Sequence, residues 1–244
     1  MKFHLAPVSP TLVAAAALAA PLAAHAVDFS SVGTLTQDEF ALLSKDLGAA
    51  TSYKPLASAA PLGITGFDIA VASTFTSLQN VDVWRKATGN SDIPSTIPVP
   101  GIRLAKGLPF GFDIGATYSR VPKVQGSLAG VELRWAALEG GLISPAIGFR
   151  LAATKLSGVD QISLNNVSAD VSISKGFPFV TPYAGAGVVR TSASAKGTGL
   201  ADETPSQGRV FAGAHLNLGL FDITAEGDRT GKTSSYSLRL GFRF

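Results

Sequence analysis

The chain reads as an all-β protein: a transmembrane, antiparallel, up-and-down β-barrel of about ten strands, preceded by a short helix. Three observations carry this reading. Hydrophobic residues make up 46% of the chain and charged residues 15%, where a typical soluble protein holds roughly 25% charged residues. Beyond the N-terminal leader, no segment has the roughly 18 uninterrupted apolar residues that a spanning helix needs. From Gly63 onward, apolar and polar residues alternate with a period of two. In lipid only helices and closed barrels satisfy every backbone hydrogen bond, so an apolar chain without spanning helices points to a barrel.

Residues 1–26 have the organisation of a secretory signal peptide. Lys2 supplies the positive start, residues 11–24 the apolar core, and Ala24-His25-Ala26 an A-x-A cleavage site. Export then leaves 19 of the 20 basic residues against 17 acids. So even a balance argues against nucleic acid as a partner. The chain has no Cys, which excludes disulfides, thiol nucleophiles and Cys-based metal sites.

Residues 27–62 form an extension ahead of the barrel, which is expected over 63–244. Thr36 followed by Glu39 three residues later is a capping box. Phe40, Leu43 and Leu47 then recur at helical spacing, and Gly48 is a plausible stop, so a helix is expected over about 37–47. It is shorter than the ~12–15 residues that begin to be stable alone in water, so it must pack on something. Residues 49–62 read as a linker. The expectation is that residues 30–60 fold into or across the periplasmic mouth as a plug or lid. The alternatives are a loose tether and a helix lying on the inner leaflet.

Ten strands are expected at 64–76, 98–107, 110–121, 125–138, 143–156, 163–175, 179–192, 208–219, 221–230 and 234–244. Each is near or above the ~9–11 residues that cross a bilayer at a tilt. Tight turns follow strands 2, 4, 6 and 8, at 106–109, 139–142, 176–178 and 219–220. Long loops follow strands 1 and 7, at 77–97 and 193–207. Short periplasmic turns and longer outer loops are usual in membrane barrels. Phe110, Phe112, Trp135, Phe177, Phe179, Phe221, Phe242 and Phe244 collect near the turn-bearing rim, as an interfacial aromatic girdle would.

The ending Tyr236-x-Leu238-x-Leu240-x-Phe242-x-Phe244 resembles the C-terminal signature of Gram-negative outer-membrane proteins. The resemblance implies an outer-membrane location reached through the periplasm. It also implies that the barrel-assembly machinery reads these residues, and that outer-membrane lipid surrounds the barrel.

The apolar face is nearly free of charge, while the other face is rich in Gly, Ala and charge. That favours lipid outside over a soluble periplasmic ligand-binding barrel, which would turn its apolar face inward. The expected lumen then holds Asp68, Asp113, Glu132, Asp170, Asp222, Glu226 and Asp228 against Arg103, Arg134, Arg150, Arg209, Arg239 and Arg243. Seven acids facing six bases should pair in a confined interior. A network that fixes strand register is the plainer reading, and a pore lining or binding surface the functional one. Near balance argues against strong ion selectivity, which usually takes a ring of one sign.

His215 lies in the turn-side half, facing the lumen, with Glu226 on the adjoining strand. Small barrels that act on lipid or peptide resemble one another in placing His with Ser or carboxylates at the outer rim, so His215 is at the wrong end for such chemistry. Gly231-Lys232-Thr233 lacks the glycine and the following helix of a phosphate-binding loop and reads as a hairpin turn. No metal-ligand spacing is visible; Asp82, Asp92, Asp202 and Glu203 read as solvated loop charge. The expectation is a non-enzymatic barrel without cofactor or metal. It would either gate limited passage of a small solute or serve as a structural or ligand-binding element, with a small solute or lipid-like molecule as ligand.

Overall fold

The computed structural model describes residues 28–121, 126–141 and 143–244. The signal-peptide assignment at 1–26 lies outside the described residues. Ten strands form one closed antiparallel meander: β1 (Phe67–Ser77), β2 (Thr96–Gly107), β3 (Phe112–Val121), β4 (Gly126–Leu138), β5 (Ala146–Ser157), β6 (Ile162–Ser174), β7 (Val180–Ala195), β8 (Ser206–Leu218), β9 (Phe221–Thr230) and β10 (Thr233–Arg243). Each strand pairs with its neighbours in sequence. β1 pairs with β10 from Asp68↔Arg243 to Ser77↔Ser234, which closes the cylinder and leaves no sheet edge.

Alternation along the strands sorts side chains between the two faces. Ile69, Val71, Leu104, Val131, Leu133, Leu151, Val167 and Val210 point outward and stay exposed, although they are apolar. The charged and hydroxyl-bearing partners point inward and are buried. An apolar exterior around a polar interior is the pattern of a membrane barrel, and it overturns the alternative of a soluble barrel with an apolar inside.

The two rims differ. The turn end carries the links 108–111, 139–145, 175–179 and 219–220, the start of β1 and the end of β10. Phe67 and Phe244 exchange backbone hydrogen bonds there, at 2.7 and 3.1 Å. The loop end carries 78–95 and 196–205. By the usual rule for bacterial barrels, the turn end faces the periplasm. Phe112, Trp135 and Phe149 stack in a row near it, with ring centroids 6.1 and 5.9 Å apart, and Phe110, Phe177, Phe179 and Phe221 stand exposed on the same rim.

Helix α1 spans Gln37–Thr51 and opens on the expected capping box. Thr36 Oγ1 accepts from the Glu39 N–H at 3.3 Å, and Glu39 Oε2 accepts from the Thr36 N–H at 2.8 Å. The helix does not stop at Leu47. Gly48 lies inside it, where its bare Cα lets the helix approach β7: a Cβ there would collide with Thr191 Oγ1. Ala49 and Ala50, both good helix formers, carry the helix on to Thr51. A second helix, α2 (Val81–Thr88), fills part of the 78–95 link that the sequence reading treated as loop.

The larger correction concerns position. Helix α1 is not at the turn-bearing end, where the lid was expected. It sits over the loop end, where Phe40, Leu43 and Leu47 pack with Trp84, Ile97, Leu128, Leu156, Ile162 and Leu164 in one buried apolar cluster. The reason is chemical. Inward-facing apolar side chains that match the stripe, among them Ile97, Leu128, Leu156 and Leu164, stand at the loop end of the strands, while the interior nearer the turn end is charged, so the stripe packs at the loop end. The helix approaches β7 at Gly48 and Thr191, near the loop end of that strand.

Candidate functional site: an occupied lumen

Immediately after α1, residues 52–66 leave the helical conformation and run through the barrel from the loop end to the turn end. These residues were read as a linker; they are the part of the extension that enters the lumen. Lumen side chains hold their backbone along the way. Thr154 Oγ1 donates to the Thr51 carbonyl at 2.9 Å. Arg209 donates to the Tyr53 carbonyl at 2.9 Å, and Arg103 spans the Lys54 and Pro55 carbonyls at 3.0 and 3.2 Å. Further along, the Leu56 N–H donates to Glu226 at 2.8 Å, the Ala59 N–H to Ser174 at 3.1 Å and the Leu62 N–H to Asp113 at 3.0 Å. The thread leaves at the turn end, where the Gly107 N–H donates to the Gly66 carbonyl and Lys106 Nζ donates to the Ile64 and Gly66 carbonyls.

Glycine makes room for this path at two places. The Tyr53 ring lies 3.0 Å from where a Cβ of Gly130 would stand, and the Ala59 carbonyl 3.0 Å from that of Gly148. The guanidinium of Arg103 lies 4.6 Å from the centre of the Tyr53 ring, an additional cation–π contact.

All the charged residues expected in the lumen do face inward, and they pair around the thread. Near the turn end, Arg239 bridges Asp68 and Asp222, Arg243 meets Asp68 at 2.8 Å, and Arg134 meets Asp113 at 3.0 Å. At mid-height Arg150 joins Asp170 and stands 3.8 Å from Glu132; Arg103 is 3.6 Å from Glu132 and Arg209 is 3.7 Å from Asp170. Asp228 had no barrel base opposite it. Its partner is Lys54 of the thread, whose Nζ lies 2.9 Å from Asp228 Oδ1 and also donates to Ser235 Oγ at 3.2 Å. Lys54 was missed because it sits in a stretch without periodicity. Counting lumen charge by sign could have found it: the six bases become seven and balance the seven acids. Burying so many charges is tolerable only because each finds an opposite charge or hydrogen-bond partners.

His215 is buried at the turn side, with Nδ1 2.9 Å from Thr224 Oγ1 and 3.6 Å from Asp222 Oδ1. Glu226 does not approach it, because that carboxylate receives Tyr183 Oη–H at 2.7 Å and the Leu56 N–H. Asp82 pairs with Arg85, and Glu203 accepts from Gln37. Among the described residues, no group of three or more His, Asp or Glu side chains is placed to hold a metal ion. The residual lumen cavity beside Tyr53, Lys54 and Arg103 measures about 40 Å³, and a second one beside Ala59, Arg150 and Phe211 about 20 Å³. Room of this size admits small numbers of waters among the side chains.

Of the C-terminal signature, Tyr236, Leu238 and Phe244 are exposed on the outer wall, and Leu240 and Phe242 are half-buried. Phe242 packs edge-on against Phe221, and Phe244 stacks on Phe67 across the closing seam, with centroids 5.6 and 5.5 Å apart.

No protein-family model and no curated protein matches the chain. Among solved structures, it resembles the N-terminal β-barrel domain of Pseudomonas aeruginosa OprF at 13% identity and a TM-score of 0.38, covering 75% of this chain and 99% of that one. LpxR from Salmonella typhimurium is matched at 12% identity and a TM-score of 0.38, over 73% of this chain and 99% of that one. The KdgM porin in complex with disordered oligogalacturonate is matched at 9% identity and a TM-score of 0.38, over 72% and 99%. The closed ten-strand meander, the apolar outer wall and the polar interior together make this chain a small β-barrel of the bacterial outer-membrane type.

Proposed function

We propose that the protein is a non-enzymatic outer-membrane barrel closed by its own N-terminal segment, and that it serves as a structural element with a cap at the loop end, not as an open pore for solutes. The observation that carries this reading is the thread. Residues 52–62 occupy the lumen along their length and are tied to it by seven protein hydrogen bonds to backbone atoms of residues 51–62. The cavities that remain beside them are small, about 40 and 20 Å³. Membrane lipid is the partner of the outer wall, and the barrel-assembly machinery is the partner of the C-terminal signature.

The non-enzymatic reading is supported by the engagement of His215 and Glu226. Each already has its partners, and His215 stands near the turn end, away from the loop end. A gated passage would need the thread to move, and Lys54 and Arg103 are the residues that hold it most firmly.

Single-channel recording in planar bilayers tests the proposal. The refolded full-length protein is expected to be electrically silent. Replacing Arg103 and Lys54 together with Ser, which releases two carbonyls and the Asp228 pair, is expected to produce intermittent openings. A steady conductance from the unaltered protein would overturn the closed-barrel reading.

A further inference from the structure

The path of the thread has a direction. β1 starts at the turn end, where Phe67 pairs with Phe244, so the thread enters β1 from that side. Going back toward the N-terminus, the chain climbs through the lumen and emerges at the loop end as α1. The residues before α1 are anchored there too. Phe29 is buried against Trp84, with ring centroids 5.7 Å apart, and the Ser31 N–H donates to the Ala87 carbonyl at 3.1 Å. Gln37 Nε2 donates to the Ala201 carbonyl at 3.2 Å, and the Ala201 N–H returns a hydrogen bond to Gln37 Oε1 at 3.0 Å. Both long loop-end links therefore grip the segment that precedes the thread.

The contacts inside the lumen are mostly to peptide carbonyls and N–H groups. Lys54 is the main side chain read individually, through Asp228 and Ser235. A wall that reads backbone accepts an extended polypeptide as a class, much as a sheet edge does.

We propose that the lumen is a polypeptide conduit: the chain's own N-terminal segment crosses the membrane inside it, and residues 28–51 are held at the cell surface. The proposal rests on the plugged-barrel reading for the thread's place in the lumen, and adds the side of the membrane on which the segment ends. It makes the cap a surface-displayed unit built from three stretches of chain, 28–51, 78–95 and 196–205.

The native chain has no cysteine, so single cysteines report position without background. Three exposed sites serve: Asp28→Cys at the first residue of the cap, Gly199→Cys in its 196–205 link, and Gly176→Cys at the turn end. Each full-length variant is expressed in a Gram-negative host, and its folding is checked by heat-modifiable migration. Intact cells are treated with a maleimide on a polyethylene glycol chain too large for general porins, then compared with lysed cells. Asp28→Cys and Gly199→Cys are expected to label equally with and without lysis, and Gly176→Cys only after lysis. Labelling of Asp28→Cys only after lysis overturns the proposal, whatever the other two sites do. Conductance is blind to sidedness: a barrel that conducts but labels at Asp28→Cys would lose the plug and keep the crossing.

Discussion

The cap and the thread are consecutive stretches of one chain held by opposite chemistry. In the cap, α1 is fixed by an apolar cluster in which Phe29, Phe40, Leu43 and Trp84 are almost wholly buried. In the thread, Lys54 is just as deeply buried but is fixed by an ion pair and hydrogen bonds. The difference follows from the solvents on either side. The cap faces water, so excluding water from apolar surface stabilises it. The thread runs inside a wall that turns most of its large apolar side chains to lipid, and beside a few inward ones such as Val99, Leu128 and Phe211 it is held mainly by polar groups. A membrane barrel is thus inside-out relative to the small water-facing unit on top of it.

The comparison breaks most sharply at Lys54. Lys54→Met leaves the Asp228 carboxylate buried without its base, which is expected to cost roughly 3–5 kcal/mol. Adding Asp228→Asn, which keeps the bond from Thr230 Oγ1, should restore most of that loss. Urea unfolding of the two variants checks it; an unaltered midpoint in Lys54→Met would mean that charge does not hold the thread. Leu43→Ala should cost about 2–5 kcal/mol, confined to the cap. The chain has two tryptophans, Trp84 in the cap cluster and Trp135 on the lipid-facing wall. Leu43→Ala should move the Trp84 emission transition and leave that of Trp135 in place, resolved by single Trp→Phe backgrounds. Coincident shifts of both would show that cap and barrel melt as one unit.

The smallest effect is expected at the cap surface. The hydrogen bond from Lys86, at 2.6 Å, and then the Thr36 N–H hold the Glu39 carboxyl below its ordinary value of 4.5. A depressed folded-state value means that this pair's contribution is fully present above 4.5 and fades as pH falls through the lowered value. Glu39→Gln should therefore be slightly less stable than the native chain near neutrality and match it once the pH lies well below the lowered value. A gap that persists at acid pH would assign the effect to the capping box alone. The pair is exposed, so the effect stays small.

The barrel was legible in the sequence because period-two alternation is a local signal that every strand repeats. Strand ends were less so: β1 begins at Phe67, after the start expected at residue 64, because Gly63–Gly66 form a turn closed by the Gly66 N–H to the Gly63 carbonyl. The lumen charges were legible for the same reason as the strands, since each lies on the polar phase of an alternating run. The thread was not. Its stretch from Ser52 to Leu62 has no period, because its contacts are made through backbone atoms that every residue carries. Only Lys54 left a trace, as the base that balances the lumen count. The helix was visible through Thr36, Glu39 and its apolar stripe, but its place was not. A stripe says that a helix packs, and says nothing about which end of a barrel supplies the partner surface.

Closure of the seam between β1 and β10 has a consequence in time. A helix is about 10–12 Å across with its side chains, and α1 now sits beyond a lumen filled by a single extended strand of chain. Once the last pair of strands has zipped, the finished cylinder encircles its own leading segment like a bead closed around its string. Either the segment is already lying in the half-curled sheet when the seam shuts, or the helix is drawn through unwound and winds only after it emerges. In both cases the final stitch, Phe67 to Phe244, falls at the point where the string enters the bead.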